Sequence, residues 1–256
     1  MPARPTIVAL ILLTVLATGA AGASASPLDE LVTGSRQLAA TWDAALADHL
    51  ATLAARVCVG PERLPGMERL GLRLHRVRAG ETLAAIARRY RLGSAALLHL
   101  NPEAGDGLQP GQLLKVLDLR TVRARLEVRR DDFRLLLWRG PLLVACYPIG
   151  VGRETTPTPA GSTTVASCVR DPAWRDPDTG HIFAARDPGN VLGGYWLGFT
   201  PGKDRRFRGI GIHGFTGADP QEWLEKHGSH GCVRLRQEDI ATLFQLIRPG
   251  VRVVVK

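Results

Sequence analysis

The sequence predicts a mostly β domain over its C-terminal half, preceded by a small α+β unit and an N-terminal helix. Three observations carry this. From about residue 123 to the end, runs rich in β-branched and apolar residues alternate with turn residues. Between His75 and Leu117 the pattern reads strand, helix, helix, strand. From Leu28 to Val57 apolar residues recur at helical spacing.

Taken in order, the chain opens with a short positive region at Arg4 and an apolar run, "IVALILLTVLAT". Small residues follow, with Ala23-Ser24-Ala25 fitting a cleavage site. This predicts a secretory signal over residues 1–25. The apolar core is short for a bilayer, which needs about 20 residues, so cleavage is favoured over a retained anchor. The protein is thus expected to be exported and to work in the periplasm or cell envelope.

Residues 26–74 are expected to be a helical segment and linker. One stripe carries Leu28, Leu31, Leu38, Trp42, Leu46, Leu50, Leu53 and Val57, and the other side is charged. Packing of the stripe on the following domain is preferred to a dimerising coiled coil. The oligomeric state is otherwise unread. "GPERLPGMERLG" then breaks the helix.

In the next unit, Ala79-Gly80 is a turn, Thr82 can cap one helix and Ser94 a second, and Asn101-Pro102 ends that helix. Beyond it, "RLEVRRDDFRLLLWRG" reads as a hairpin with Arg130-Asp131-Asp132 at the turn. "PLLVACYPIGVG", "STTVASCVR", "IGIHGF" and "GVRVVVK" are further strands. Only Gln237 to Ile247 is convincingly helical there. The sheet should be mostly antiparallel. No phosphate-loop glycine pattern occurs.

With 45% hydrophobic and 22% charged residues, the composition is globular. A net charge of +9 suits a polyanionic partner, but no Lys/Arg run is dense enough for a nucleic-acid arm, so no nucleic acid is expected. The cysteines, Cys58, Cys146, Cys168 and Cys232, form no CxxC pair. Cys146 and Cys168 sit in neighbouring strand-like runs and either pair or act as small buried hydrophobes.

The chemistry concentrates in "IHGFTGADPQEWLEKHGSHGCVRLR", Ile212 to Arg236. His213, His227, His230 and Cys232 are residues that zinc accepts. Closed zinc sites, however, use paired spacing from two arms, and the glycines argue against a helix that presents two histidines on one face. No metal and no cofactor are therefore expected. A redox pair lacks its second cysteine. A nucleophilic cysteine needs a histidine within reach, a group to orient it, and oxyanion donors. Cys232 follows the tight loop Ser229-His230-Gly231, and His213 closes a strand.

Two resemblances sharpen this. Residues 75–118 resemble a LysM module through Val77, Gly80, Glu81, Thr82, Leu83, Ile86, Ala87, Tyr90, Asn101, Leu108, Gly111, Gln112 and Leu114. This implies binding to N-acetylglucosamine-containing glycan strands, with Gly80, Glu81, Thr82, Asn101 and Pro102 at the groove. Residues 122–256 resemble the L,D-transpeptidase catalytic domain, the YkuD family. The signature is His213-Gly214, then Ser229-His230-Gly231-Cys232-Val233-Arg234, with support from "YPIGVGRETTPTPAG", "DPAWRDP" and "GNVLGGYWLGF".

That resemblance implies a β-sandwich-like domain with one or two helices, and a peptidoglycan partner. Cys232 is the implied nucleophile and His213 its base, which draws off the proton to give a thiolate or ion pair. Gly231 and the Cys232 backbone are implied at the oxyanion, and Gly214 orients His213. Ser229 and His230 shape the pocket, and Arg234 binds a stem carboxylate. The product is a 3→3 cross-link, or attachment of a wall-anchored lipoprotein. Hydrolysis on the same scaffold remains the alternative. The intact Cys/His pair disfavours a purely wall-binding protein, and the chain order, His before Cys, disfavours an NlpC/P60 peptidase. Two departures stand out: Val191 replaces a usual proline, and the bulky stretch Glu222 to Gly228 is expected to border the nucleophile.

Overall fold

The structure, a computed structural model, describes residues 26–59, 66–118, 123–203 and 205–256. The expected signal at 1–25 lies outside these residues, as does part of the linker. Among the described residues no helix is long and apolar enough to cross a membrane.

The N-terminal segment is two helices rather than one, α1 (Pro27–Ala40) and α2 (Ala44–Cys58). The break has a local cause: Thr41 and Asp43 are extended, and the Asp43 side chain accepts the Leu46 N–H at 2.8 Å, capping α2. Ser26 caps α1 in the same way, through Asp29. The helices pack closely at Gly34, where a Cβ would stand 2.5 Å from Leu50 Cδ2.

The small module comprises β1 (Leu72–Arg76), α3 (Leu83–Arg89), α4 (Ser94–Leu100) and β2 (Leu113–Leu117), with β1 and β2 antiparallel. Thr82 Oγ1 accepts the Ala85 N–H at 3.2 Å and starts α3. The cap of α4 differs from expectation: Gly93 is the N-cap, no side chain caps, and Ser94 is the first helical residue.

The C-terminal domain comprises β3 (Ala124–Arg129), β4 (Arg134–Arg139), β5 (Leu142–Pro148), β6 (Val151–Gly152), β7 (Gly161–Arg170), β8 (Trp174–Arg175), β9 (Ile182–Phe183), β10 (Tyr195–Phe199), β11 (Gly211–Gly214), α5 (Pro220–Trp223), β12 (His227–Ser229), β13 (Val233–Leu235), α6 (Gln237–Leu246) and β14 (Arg252–Val255). Eight strands form one sheet in the order β13-β11-β10-β7-β14-β3-β4-β5. Pairing is mostly antiparallel, except that β11 and β13, and β14 and β3, run parallel. One core takes side chains from all eight strands and from Ile240 and Leu243 of α6, so the sheet wraps around it as a sandwich-like or barrel-like layer.

Side-chain alternation along β4 explains how the two halves join. Leu135 and Leu137 enter the inner core. Leu136 and Trp138 face the other way, into a second core shared with α1, α2 and the small module. The helical stripe thus covers the outer face of β4 and β5 as well as the module. Ser35 of α1 accepts the N–H of Leu143 at 3.1 Å, satisfying a donor of the edge strand β5. Arg248 donates to the Arg91 carbonyl at 2.7 Å and ties the module to the domain.

All four cysteines are free. Cys146 lies on β5 and Cys168 on β7, with β4, β3 and β14 between them, so the disulfide alternative fails on sheet order.

Candidate active site

The pleat builds the site. In the parallel pair β11–β13, Ile212 faces Val233, His213 faces Arg234 and Gly214 faces Leu235. Ile212, Val233 and Leu235 point into the inner core. By alternation His213, Arg234 and Cys232, just ahead of β13, share the opposite face. All three line one cavity of about 630 Å³.

His213 is buried, and its Nδ1 hydrogen-bonds the Gly214 carbonyl. A carbonyl only accepts, so Nδ1 carries the proton and Nε2 keeps its lone pair. Trp196, opposite in register on β10, stacks on the imidazole with centroids 5.9 Å apart. Gly211 makes room for that ring, since a Cβ there would stand 2.8 Å from it.

The loop before β13 is held by its own hydrogen bonds. Ser229 Oγ donates to the Cys232 carbonyl at 2.6 Å and accepts the Gly231 N–H at 3.1 Å. Gly231 has φ +108°, a conformation that side chains rarely adopt. Behind the loop, Arg153 N–H donates to the Ser229 carbonyl at 2.9 Å, and Thr158 Oγ1 accepts the Gly152 N–H at 2.9 Å. This pins β6, which pairs with β12. The Gly231 N–H is therefore already engaged, and an oxyanion role for that N–H does not follow. Cys232 N–H makes no protein hydrogen bond among the described residues.

Cys232 is half-buried, and its thiol donates to the Gly209 carbonyl at 3.6 Å. Burial pushes that thiol up to about 11, against smaller lowering effects of the Gly211 N–H and the Arg234 charge. Burial likewise pushes His213 down to about 4. Both shifts favour the neutral forms of the resting pair. Burial lowers Arg234 as well. Its guanidinium lies 3.8 Å from the Phe215 ring centroid, and its buried Nε lacks an acceptor. Among the described residues it has no carboxylate partner.

His230 Nε2 bonds Asp178 Oδ1 at 2.9 Å, in the β8–β9 hairpin that forms one cavity wall through Trp174, Arg175 and Pro177. His227 turns away to the Gly152 carbonyl. Among the described residues no group of His, Cys, Asp and Glu converges on a metal-sized site. The stretch Glu222 to Gly228 does not line the cavity. Trp223 is buried edge-to-face on Phe215, and Glu225 pairs with Arg134. Its bulk is absorbed by packing. Sequence reading missed Asp178, Trp196 and Arg208 as site residues. Trp196 lay within a matched run, yet only strand register set it beside His213.

In the small module, Asn101 is buried and engaged, with Lys115 N–H to Oδ1 at 2.7 Å and Nδ2 to the Lys115 and Leu97 carbonyls. Glu81 bonds His75 and the Arg78 N–H, and Thr82 caps α3. These three side chains make hydrogen bonds within the module itself. Gly80 and Pro102 are exposed.

A mostly β sheet carrying a cysteine and a tautomer-fixed histidine in one cavity defines a cysteine acyl-transfer domain. Residues 123–255 match the L,D-transpeptidase catalytic domain, and residues 75–117 match the LysM domain. An L,D-transpeptidase of Bacillus licheniformis, YkuD, is 30% identical over 70% of this chain and 96% of its own. The Escherichia coli L,D-transpeptidase YcfS is 29% identical over 68% of this chain and 58% of its own. The crystal structure of a Cys-to-Ser mutant of Enterococcus faecium L,D-transpeptidase is 22% identical, with TM-score 0.42 over 52% of this chain and 50% of that one. The chain belongs to the L,D-transpeptidase family, cysteine-dependent acyltransferases of peptidoglycan in the cell envelope.

Proposed function

We propose that this chain is exported by a cleaved signal and forms 3→3 cross-links between peptidoglycan stems, with Cys232 as nucleophile and His213 as base. The observation that carries this reading is the Nδ1 bond of His213 to Gly214, which leaves Nε2 as a base on the same cavity wall as Cys232. Because the resting pair is neutral, deprotonation accompanies attack. Substrate draws the thiol from the Gly209 carbonyl, and Nε2 takes its proton as sulfur bonds to the carbonyl carbon between diaminopimelate and D-alanine.

The oxyanion of the tetrahedral intermediate is met by the Cys232 N–H. The imidazolium then protonates the leaving amine, D-alanine departs, and a thioester remains on Cys232. The side-chain amine of a second stem attacks the thioester, His213 accepts its proton, and the amide product leaves with the thiol restored. Arg234, half-buried, with a buried Nε and no carboxylate partner among the described residues, supports binding of the terminal D-alanine carboxylate beside the sulfur. The LysM module keeps the domain on glycan strands, and a lysine of a wall-anchored lipoprotein is the other acceptor that this chemistry admits.

The test is incubation of the mature protein, and of Cys232→Ala, with disaccharide-tetrapeptides, followed by mass spectrometry. A 3→3 dimer made only by the wild type is expected. Tripeptide without dimer means that water is the acceptor. No reaction at all overturns the enzymatic reading.

A further inference from the structure

Arg234 is not the only guanidinium at the cavity. Arg175 on β8 and Arg208, in the loop before β11, also line it, and among the described residues no Asp or Glu does. Both are exposed. Arg175 Nε donates within its own hairpin, to the Gly180 carbonyl at 3.3 Å. Among the described residues neither arginine pairs with a carboxylate. Other arginines near the site do: Arg186 pairs with Asp171 at 2.7 Å and Arg153 with Asp178 at 3.9 Å. All three guanidiniums at the cavity, Arg175, Arg208 and Arg234, thus lack a carboxylate partner among the described residues. One carboxylate at Arg234 leaves two of the three positive charges unanswered.

We propose that Arg175 and Arg208 are specificity-determining residues that read a second carboxylate of the donor stem, the free one on the diaminopimelate side chain. This deepens the transpeptidase reading above and rests on it. The placement fits the chemistry. The terminal D-alanine carboxylate lies within one residue of the scissile carbonyl and belongs near the half-buried Arg234. The diaminopimelate carboxylate ends a side chain several carbons long, so it reaches farther from sulfur, to the more exposed Arg175 and Arg208. A guanidinium donates to a carboxylate in a charge-assisted, two-pronged way, whereas an amide of the same shape offers one acceptor and no charge. The site therefore selects free-acid donors over amidated ones.

The experiment compares kcat/KM for disaccharide-tetrapeptides carrying the free or the amidated diaminopimelate carboxyl. It uses the wild type, Arg175→Gln, Arg208→Gln and the double variant, each checked for an unchanged Tm. Exposed charge contacts are screened, so each single variant is expected to raise KM for the free donor roughly fourfold with kcat nearly constant. The wild type should prefer the free donor by about tenfold, and the double variant should lose that preference. Raising ionic strength should narrow it in the wild type. Equal use of both donors by the wild type, or a preference retained in the double variant, overturns the proposal while leaving the transpeptidase reading intact. A folded wild type that acts on neither donor overturns both.

Discussion

Replacing Ser229 by Ala tests whether the loop before Cys232 is preorganised by one hydroxyl. Ser229 is 2% exposed, and its Oγ makes two bonds, to the Cys232 carbonyl at 2.6 Å and from the Gly231 N–H at 3.1 Å. Losing the two bonds costs about 1 kcal/mol each, and a buried N–H left without an acceptor adds about 1–2 kcal/mol, for a total of roughly 3 kcal/mol. At this chain length that corresponds to a fall in Tm of about 6–12 °C. The same loss frees the backbone that carries the sulfur, and a displacement of about 1 Å is worth about 100-fold in rate. The assay is kcat/KM for tetrapeptide donor alongside thermal denaturation. Ser229→Thr, which keeps the hydroxyl, should recover most of both. A Ser229→Ala protein within about threefold of wild-type kcat/KM, its Tm lowered by less than roughly 1 °C, would refute the reasoning.

Further outcomes follow from other contacts. With Cys232 up near 11 and His213 down near 4, iodoacetamide should alkylate Cys232 slowly at pH 7 and faster as pH rises toward 11, and rapid labelling at pH 6–7 would contradict the neutral pair. His213 binds its proton less tightly folded, at about 4, than at its ordinary 6.5, so stability should fall as pH drops through that window. The effect reaches on the order of 3 kcal/mol and should be smaller in His213→Gln, as read by Tm against pH. Asp178→Asn removes the charge that His230 binds across to the β8–β9 hairpin. It should raise KM several-fold and leave the thiol's alkylation profile unchanged, whereas a shifted profile would make His230 part of the proton chemistry. Asn101→Ala strips two bonds to Lys115 of β2 and one to Leu97 of α4 and should cost about 2–4 kcal/mol. Binding to sacculi should fall only in step with unfolding of the module, measured by calorimetry.

Much of this molecule is legible one residue at a time. The strands of the C-terminal half, the hairpin turn at Arg130 to Asp132, the helix from Gln237 and the cap at Thr82 all follow from local pattern, because period and turn chemistry act over a few residues. His213 and Cys232 were nameable for a similar reason: their neighbours form a spaced signature within one short stretch. The N-terminal helix was read too long because Asp43 sits in an otherwise periodic run. Its side chain can cap a new helix only where the chain turns, and periodicity does not report turning.

What the sequence by itself determined was which residues could be chemical, and the element on which each one rides. What only the tertiary structure decided was which polar atoms remain available. Asn101 and Glu81 are consumed by the module's own hydrogen bonds, the Gly231 N–H is taken by Ser229, and Trp223 turns inward against Phe215. Burial favours the neutral forms of Cys232 and His213, while Arg175, Arg208 and Arg234 meet at one cavity with no carboxylate partner among the described residues. Hydrogen bonds and desolvation depend on partners distant in the chain, and those partners meet only when β11, β13 and the β8–β9 hairpin are brought together.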